Sequence, residues 1–155
     1  MKVPPLFLRC DSVHMQIDYA AITHPGRIRK NNEDAYLLSA LDGDEPVINE
    51  GGRGFEVGHA GFLAAVADGM GGAASGEIAS LMATDTMFIE LRRRYETDWP
   101  RSQAGIESAL RAAMSAANHV IFTYSSGNPQ HRGMATTATL AVVHDSVITI
   151  AQVGD

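Results

Sequence analysis

Phe62-Leu63-Ala64-Ala65-Val66-Ala67-Asp68-Gly69-Met70-Gly71-Gly72 places a near-continuous apolar run directly before a carboxylate and a Gly-rich turn. A short apolar run bounded by turn formers predicts a buried strand over 62–67, with Asp68 at its C-terminal end. Glycine after that carboxylate lets backbone amides and carbonyls approach a ligand, because no Cβ stands in the way. Upstream, Val13 to Thr23 alternates through Met15, Ile17 and Tyr19, which reads as a strand leading into a turn at His24-Pro25-Gly26. A second short strand is expected over 35–41. The stretch 42–61, rich in Gly and acidic residues and carrying Pro46, reads as a long loop or hairpin.

Downstream, Ile78, Leu81, Met82, Phe88, Leu91 and Tyr95 recur at helical spacing, predicting a helix from Glu77 to Tyr95. Arg92-Arg93-Arg94 would fall in its last turn, where cations complement the helix dipole. After Trp99-Pro100, the residues Ile106, Leu110, Ala113, Ala117, Val120, Ile121 and Tyr124 form a cleaner stripe that ends near Gly127-Asn128-Pro129. Two such helices in sequence are expected to pair. Thr136 to Val143 and Val147 to Val153, rich in Thr, Val and Ile, flank His144-Asp145-Ser146 as a hairpin. Strands, then two helices, then strands argue for an α+β layered domain with antiparallel pairing rather than alternating βαβ units.

Composition narrows the function classes. A chain of 155 residues with 45% hydrophobic content fits one domain with a true core. The net charge is −6, and no basic run is interleaved with aromatics, so nucleic acid is not an expected partner. Cys10 is the single cysteine and no Cys/His spacing suits zinc, which points to a reducing compartment with the cytoplasm as default. The apolar part of Met1 to Arg9 is too short for a signal peptide and is interrupted by Pro4 and Pro5. Every longer apolar candidate is broken by Gly, Asp or Arg, so a membrane span is not expected and the chain reads as soluble.

Two motifs carry chemistry. Arg29-Lys30-Asn31-Asn32-Glu33-Asp34 offers a guanidinium and adjacent carboxylates, and Asp68-Gly69 offers a carboxylate with an approachable carbonyl. All the candidate donors are oxygen, which suits hard divalent cations such as Mg²⁺ and Mn²⁺. In a two-metal site one carboxylate can bridge both ions, and Asp68 is the candidate bridge. The planar fork of Arg29 can hold two phosphoryl oxygens, whereas Lys30 could act only as a point charge. Taken alone, the first motif also fits a solvated turn and the second a flexible loop opening a helix. The histidines show no metal-ligand spacing, and no Gly-x-x-x-x-Gly-Lys-Ser/Thr occurs.

Gly26-x-x-Arg29-x-x-Asn32-Glu33-Asp34-Ala35, Ala67-Asp68-Gly69-Met70-Gly71-Gly72, Gly133-Met134-Ala135-Thr136-Thr137 and Val153-Gly154-Asp155 occur in one order. With these motifs the chain resembles a bacterial PPM-type (type 2C) protein serine/threonine phosphatase from about Tyr19 onward. The resemblance implies two antiparallel sheets in a sandwich flanked by helices (αββα), with two Mn²⁺ or Mg²⁺ ions at one end and a third, weaker one. It implies phosphoserine and phosphothreonine proteins as substrates, and a Ser/Thr kinase with its substrates as partners. By the same resemblance Arg29 binds phosphate, Glu33 is a metal ligand, and Asp34 orders metal-bound water. Asp68 bridges the metals, Gly69 contributes its carbonyl, and Asp155 helps hold the third ion. Many eukaryotic members carry a histidine where this chain has Met70, which cannot donate a proton. Gly133 to Thr137 matches a strand motif to which no chemistry is assigned.

On this reading residues 1–12 are an N-terminal extension and 13–155 the N-terminal part of the phosphatase domain, cut off after Asp155. The family continues with more strands and two further metal-binding aspartates, so the chain as it stands is expected to be weak or inactive. The alternative, from a different class, is a non-catalytic phosphoprotein-binding or regulatory module.

Overall fold

The computed structural model describes residues 15–28, 30–42, 51–58, 61–71, 75–100 and 102–155. Arg29, Cys10, the expected extension over 1–12 and much of the expected 42–61 loop lie outside the described residues. The elements in chain order are β1 (Met15–Ala20), β2 (Asp34–Ala40), β3 (Gly51–Val57), β4 (Phe62–Met70), α1 (Ser75–Asp98) and α2 (Gln103–Gly127). A short 3₁₀ turn (Pro129–His131) then leads to β5 (Ala135–Thr136), β6 (Ala138–His144) and β7 (Val147–Val153). β2, β4, β6 and β7 lie side by side in that order, β5 adds to β4, and β1 pairs with β3 in a separate two-stranded sheet. All pairings are antiparallel, as the α+β reading expected.

Register decides which residues meet the helices. Ala35, Leu37 and Ser39 of β2 stand opposite Ala67, Ala65 and Leu63 of β4, and all are buried. In a strand alternate side chains share a face, so this set forms one surface. Leu140 and Val142 of β6 extend it opposite Ala65 and Leu63. α1 lays Ala79, Ala83, Met87 and Leu91 on that surface, and α2 adds Ile106, Leu110 and Ala113 to the same core. Each fully buried leucine here contributes about 1.5–3 kcal/mol relative to exposure. Ser102 caps α2, its Oγ accepting from the Gly105 N–H at 3.2 Å.

The other face of the sheet carries Phe62, which receives the rings of Tyr19 and Phe55 at centroid distances of 5.6 and 5.2 Å. The two-stranded sheet therefore packs opposite the helices, giving helix, sheet and sheet layers. Further along this outer face Val66 and Ile150 are exposed.

Four local expectations need correction. β4 does not end at Asp68 but continues to Met70, because β5 pairs with Gly69 and Met70. Within the expected 42–61 loop, β3 forms and pairs with β1. α1 is longer than expected at both ends, so Arg92, Arg93 and Arg94 are not in its last turn; Arg92 and Arg93 pair with Glu96 and Glu90 on the helix surface. Finally, Leu81 is exposed, because the face of α1 that meets the sheet is built from Ala79, Ser80, Ala83 and Thr84. Small residues let a helix lie close to the strands. The β6–β7 hairpin does form: Asp145 and Ser146 both have positive φ, 46° and 64°, which gives the tight connection a two-residue hairpin favours.

Candidate functional site

Asp34 opens β2 and stands directly opposite Asp68 of β4. Their neighbours Ala35 and Ala67 face the helices, so the two aspartates project from the outer, exposed face. Directly opposed residues in antiparallel strands have Cβ atoms about 4.5–5.5 Å apart, and like charges there repel. A bound cation offsets that repulsion, which makes the pair suited to hold one.

The loop before β2 is tied down by Asn32. Its amide nitrogen donates to Thr23 Oγ1 at 2.6 Å, and its amide oxygen accepts from the Asp34 N–H at 3.2 Å. The entry to β2 is thus linked to the segment after β1. Glu33 accepts from the Gly69 N–H through its backbone carbonyl at 3.0 Å. Its carboxylate lies beside Gly76 in the first turn of α1: a Cβ at Gly76 would come within 2.8 Å of Glu33 Oε1. Helix N-termini favour negative charge, so the carboxylate is well placed there. A Cβ on Gly69 would collide with the Gly76 carbonyl. Glycine at 69 and 76 is what lets strand, loop and helix meet.

Asp68 is held from its other side by Thr137. The Thr137 N–H donates to the Asp68 carbonyl at 2.9 Å, and the Asp68 N–H donates to Thr137 Oγ1 at 3.2 Å. Gly154, with φ +85°, packs against Thr137, since a Cβ there would sit 2.8 Å from Thr137 Cγ2. Asp155 therefore follows at the same end of the sheet, across the Thr137 segment from Asp68. Asp34 and Asp68 stand opposite one another at one sheet end, with the Glu33 carboxylate beside the first turn of α1 and Asp155 just past the end of β7. Among the described residues no group of three or more His, Cys, Asp or Glu is gathered so as to hold a metal ion. The donors present are all oxygen, the kind that Mg²⁺ and Mn²⁺ prefer.

Three residues that matter here carry no chemical role in the sequence reading. Thr137 is 69 positions from Asp68, a separation that no local pattern reveals. Asn32 acts through a side-chain turn that its type does permit. Gly76 falls just before the helix expected from Glu77, and it is the start of α1 at Ser75 that brings it into the first turn against Gly69 and Glu33. His24 serves its own turn, accepting from the Gly26 N–H at 2.9 Å.

The chain is similar to known proteins. A family profile described as protein phosphatase 2C matches residues 53–155. The serine/threonine phosphatase Stp of Listeria monocytogenes (EGD-e) is 31% identical over 133 residues, covering 86% of this chain and 45% of that protein. The serine/threonine protein phosphatase PstP of Mycobacterium tuberculosis is 29% identical over 143 residues, covering 92% of this chain and 22% of that protein. Among solved structures, the serine/threonine phosphatase Stp1 from Staphylococcus aureus superposes with a TM-score of 0.67 at 30% identity, over 91% of this chain and 47% of that one. The Mycobacterium tuberculosis phosphatase PstP/Ppp gives 0.61 at 27% identity, over 88% and 46%. The chain spans less than half the length of the curated relatives it matches.

Proposed function

This chain belongs to the protein phosphatase 2C family, and on that footing we propose that the full-length protein hydrolyses phosphoserine and phosphothreonine in proteins with two Mn²⁺ or Mg²⁺ ions, a third being held more weakly. The observation that carries the reading is the direct opposition of Asp34 and Asp68 beside Gly69 on an exposed sheet face. The relatives named as serine/threonine phosphatases support it.

Asp68 is the proposed bridging ligand, with Glu33, the Gly69 carbonyl and Asp155 as further ligands. Divalent ions bound there would supply a nucleophilic hydroxide at neutral pH and neutralise charge on the phosphoryl group. Asp34 accepts a hydrogen bond from water and orients it toward phosphorus. Arg29 holds two phosphoryl oxygens in its fork and fixes the ester for in-line attack. Met70 is exposed beside these groups and has no proton to give, so the leaving oxygen takes its proton from water. Thr137 fixes the Asp68 backbone and Asn32 that of Asp34, while the pairing of β2 with β4 keeps the two opposed.

Residues 13–155 are read as the N-terminal part of the phosphatase domain and 1–12 as an extension. The substrates would be targets of a Ser/Thr kinase in the bacterial cytoplasm. No helix among the described residues is long and apolar enough to cross a membrane. Phosphate release from a phosphothreonine peptide by the full-length protein tests the proposal: it should require Mn²⁺ or Mg²⁺ and vanish with chelator. Peptide binding without release in the presence of metal would instead favour the non-catalytic binding module.

A further inference from the structure

Ser75, the first residue of α1, is buried, with only 4% of its surface exposed. A buried hydroxyl needs a hydrogen-bond partner. It finds one in the imidazole of His131, with Oγ and Nδ1 3.1 Å apart across 56 positions of sequence. With the ring proton on Nε2 the hydroxyl donates, with it on Nδ1 the direction reverses, and the tie holds in both cases.

His131 is itself fixed to the end of α2. Its ring lies against Tyr124 at a centroid distance of 5.5 Å. Its carbonyl accepts from Ser125 Oγ at 3.0 Å and from the Met134 N–H at 3.2 Å. The Gly133 N–H donates in turn to Ser125 Oγ at 3.2 Å. The 3₁₀ turn is therefore a rigid base for the imidazole.

What Ser75 anchors is the back of the site. The next residue, Gly76, packs on Gly69 and on the Glu33 carboxylate with no room for a methyl group. Gly71, just beyond β4, is wedged between Ser75 and Met134: a Cβ there would meet Met134 Cα at 3.0 Å and Ser75 Cβ at 3.1 Å. Contacts this tight transmit displacement rather than absorb it, because packed interiors are barely compressible. We propose that His131, acting through Ser75, is a positioning residue that sets the first turn of α1 against Gly69 and Glu33 and so tunes divalent-metal affinity. The inference rests on the metal-dependent reading given above.

Mn²⁺ titration by calorimetry on the full-length protein tests it, with wild type, Ser75→Ala, His131→Ala, the double variant and His131→Asn compared, folding being checked by circular dichroism. Partners beyond the ligands themselves cost about 10–100-fold in metal affinity when removed. His131 lies further back, so each single alanine variant should weaken Mn²⁺ about 10-fold. The double variant should lose no more than either single one, because both cut the same tie. His131→Asn, which keeps a hydrogen-bonding atom close to the Nδ1 position, should recover most of the loss; a purely structural ring would not be rescued this way. Wild-type affinity in a folded His131→Ala would overturn the positioning role of His131 while leaving the metal reading intact. Failure of wild type itself to bind Mn²⁺ would overturn the metal reading, and the positioning role with it.

Discussion

Replacing Gly76 by alanine separates a glycine kept for a close approach from one that is merely tolerated. In an ordinary helix interior the change is favourable by about 1 kcal/mol, because alanine loses less backbone freedom on folding. At Gly76 the new methyl carbon would lie 2.8 Å from Glu33 Cδ and Oε1 and 2.9 Å from the Gly69 carbonyl carbon. The Glu33 side chain could swing away, but the Gly69 backbone is pinned by the hydrogen bond of its N–H to the Glu33 carbonyl and by pairing with β5. Overpacking of this kind costs about 1–3 kcal/mol, and a rigid backbone neighbour places it in the upper half of that range. The net expectation is a loss of about 1–2 kcal/mol. Gly127→Ala serves as the control, since it too is helical and nothing lies within 4 Å of its Cβ position. Urea unfolding of the full-length protein should show Gly76→Ala shifted to lower denaturant and Gly127→Ala unchanged or slightly higher. Equal stabilisation of both variants would refute the argument that helix, strand and Glu33 meet at Gly76 without slack.

Further expectations concern the clamp, the core and the hairpin. Thr137→Val keeps the shape but removes the hydroxyl that accepts from the Asp68 N–H, and should cost about 0.5–1.5 kcal/mol in urea unfolding. Leu110→Ala opens space in a fully buried contact of α2 and should cost about 2–5 kcal/mol in the same assay. Ser146→Gly relieves a positive φ of 64° in the β6–β7 turn, a strain of about 1–2 kcal/mol for a residue with a Cβ against about 0.5–1 kcal/mol for glycine's added chain entropy, and should give a slightly higher unfolding midpoint.

The main secondary-structure elements were legible in the sequence because their periods are strong. The alternation through Met15, Ile17 and Tyr19 marks β1, and the stripe from Ile106 to Tyr124 marks α2. What stayed hidden has physical reasons. β5 is only two residues long, too short for any period, yet it draws β4 out to Met70. The face of α1 is made of Ala, Ser and Thr, so hydrophobicity pointed to Leu81, which solvent reaches. At the site, the motifs offered Asp34 and Asp68 only as candidates, and it is sheet register that sets them opposite one another. The Thr137 clamp and the Ser75–His131 tie join residues far apart in sequence, and only the folded chain brings them together.

The most direct measurement is calorimetric titration of Mn²⁺ into the full-length protein, wild type against Asp68→Asn. If the opposed pair at the sheet end is a metal centre, the wild type binds and Asp68→Asn loses more than about 100-fold in affinity, beyond what outer partners alone account for. The same variant without metal should unfold no earlier than wild type, because one of two opposed like charges has gone. Indistinguishable isotherms for the two proteins would contradict the account.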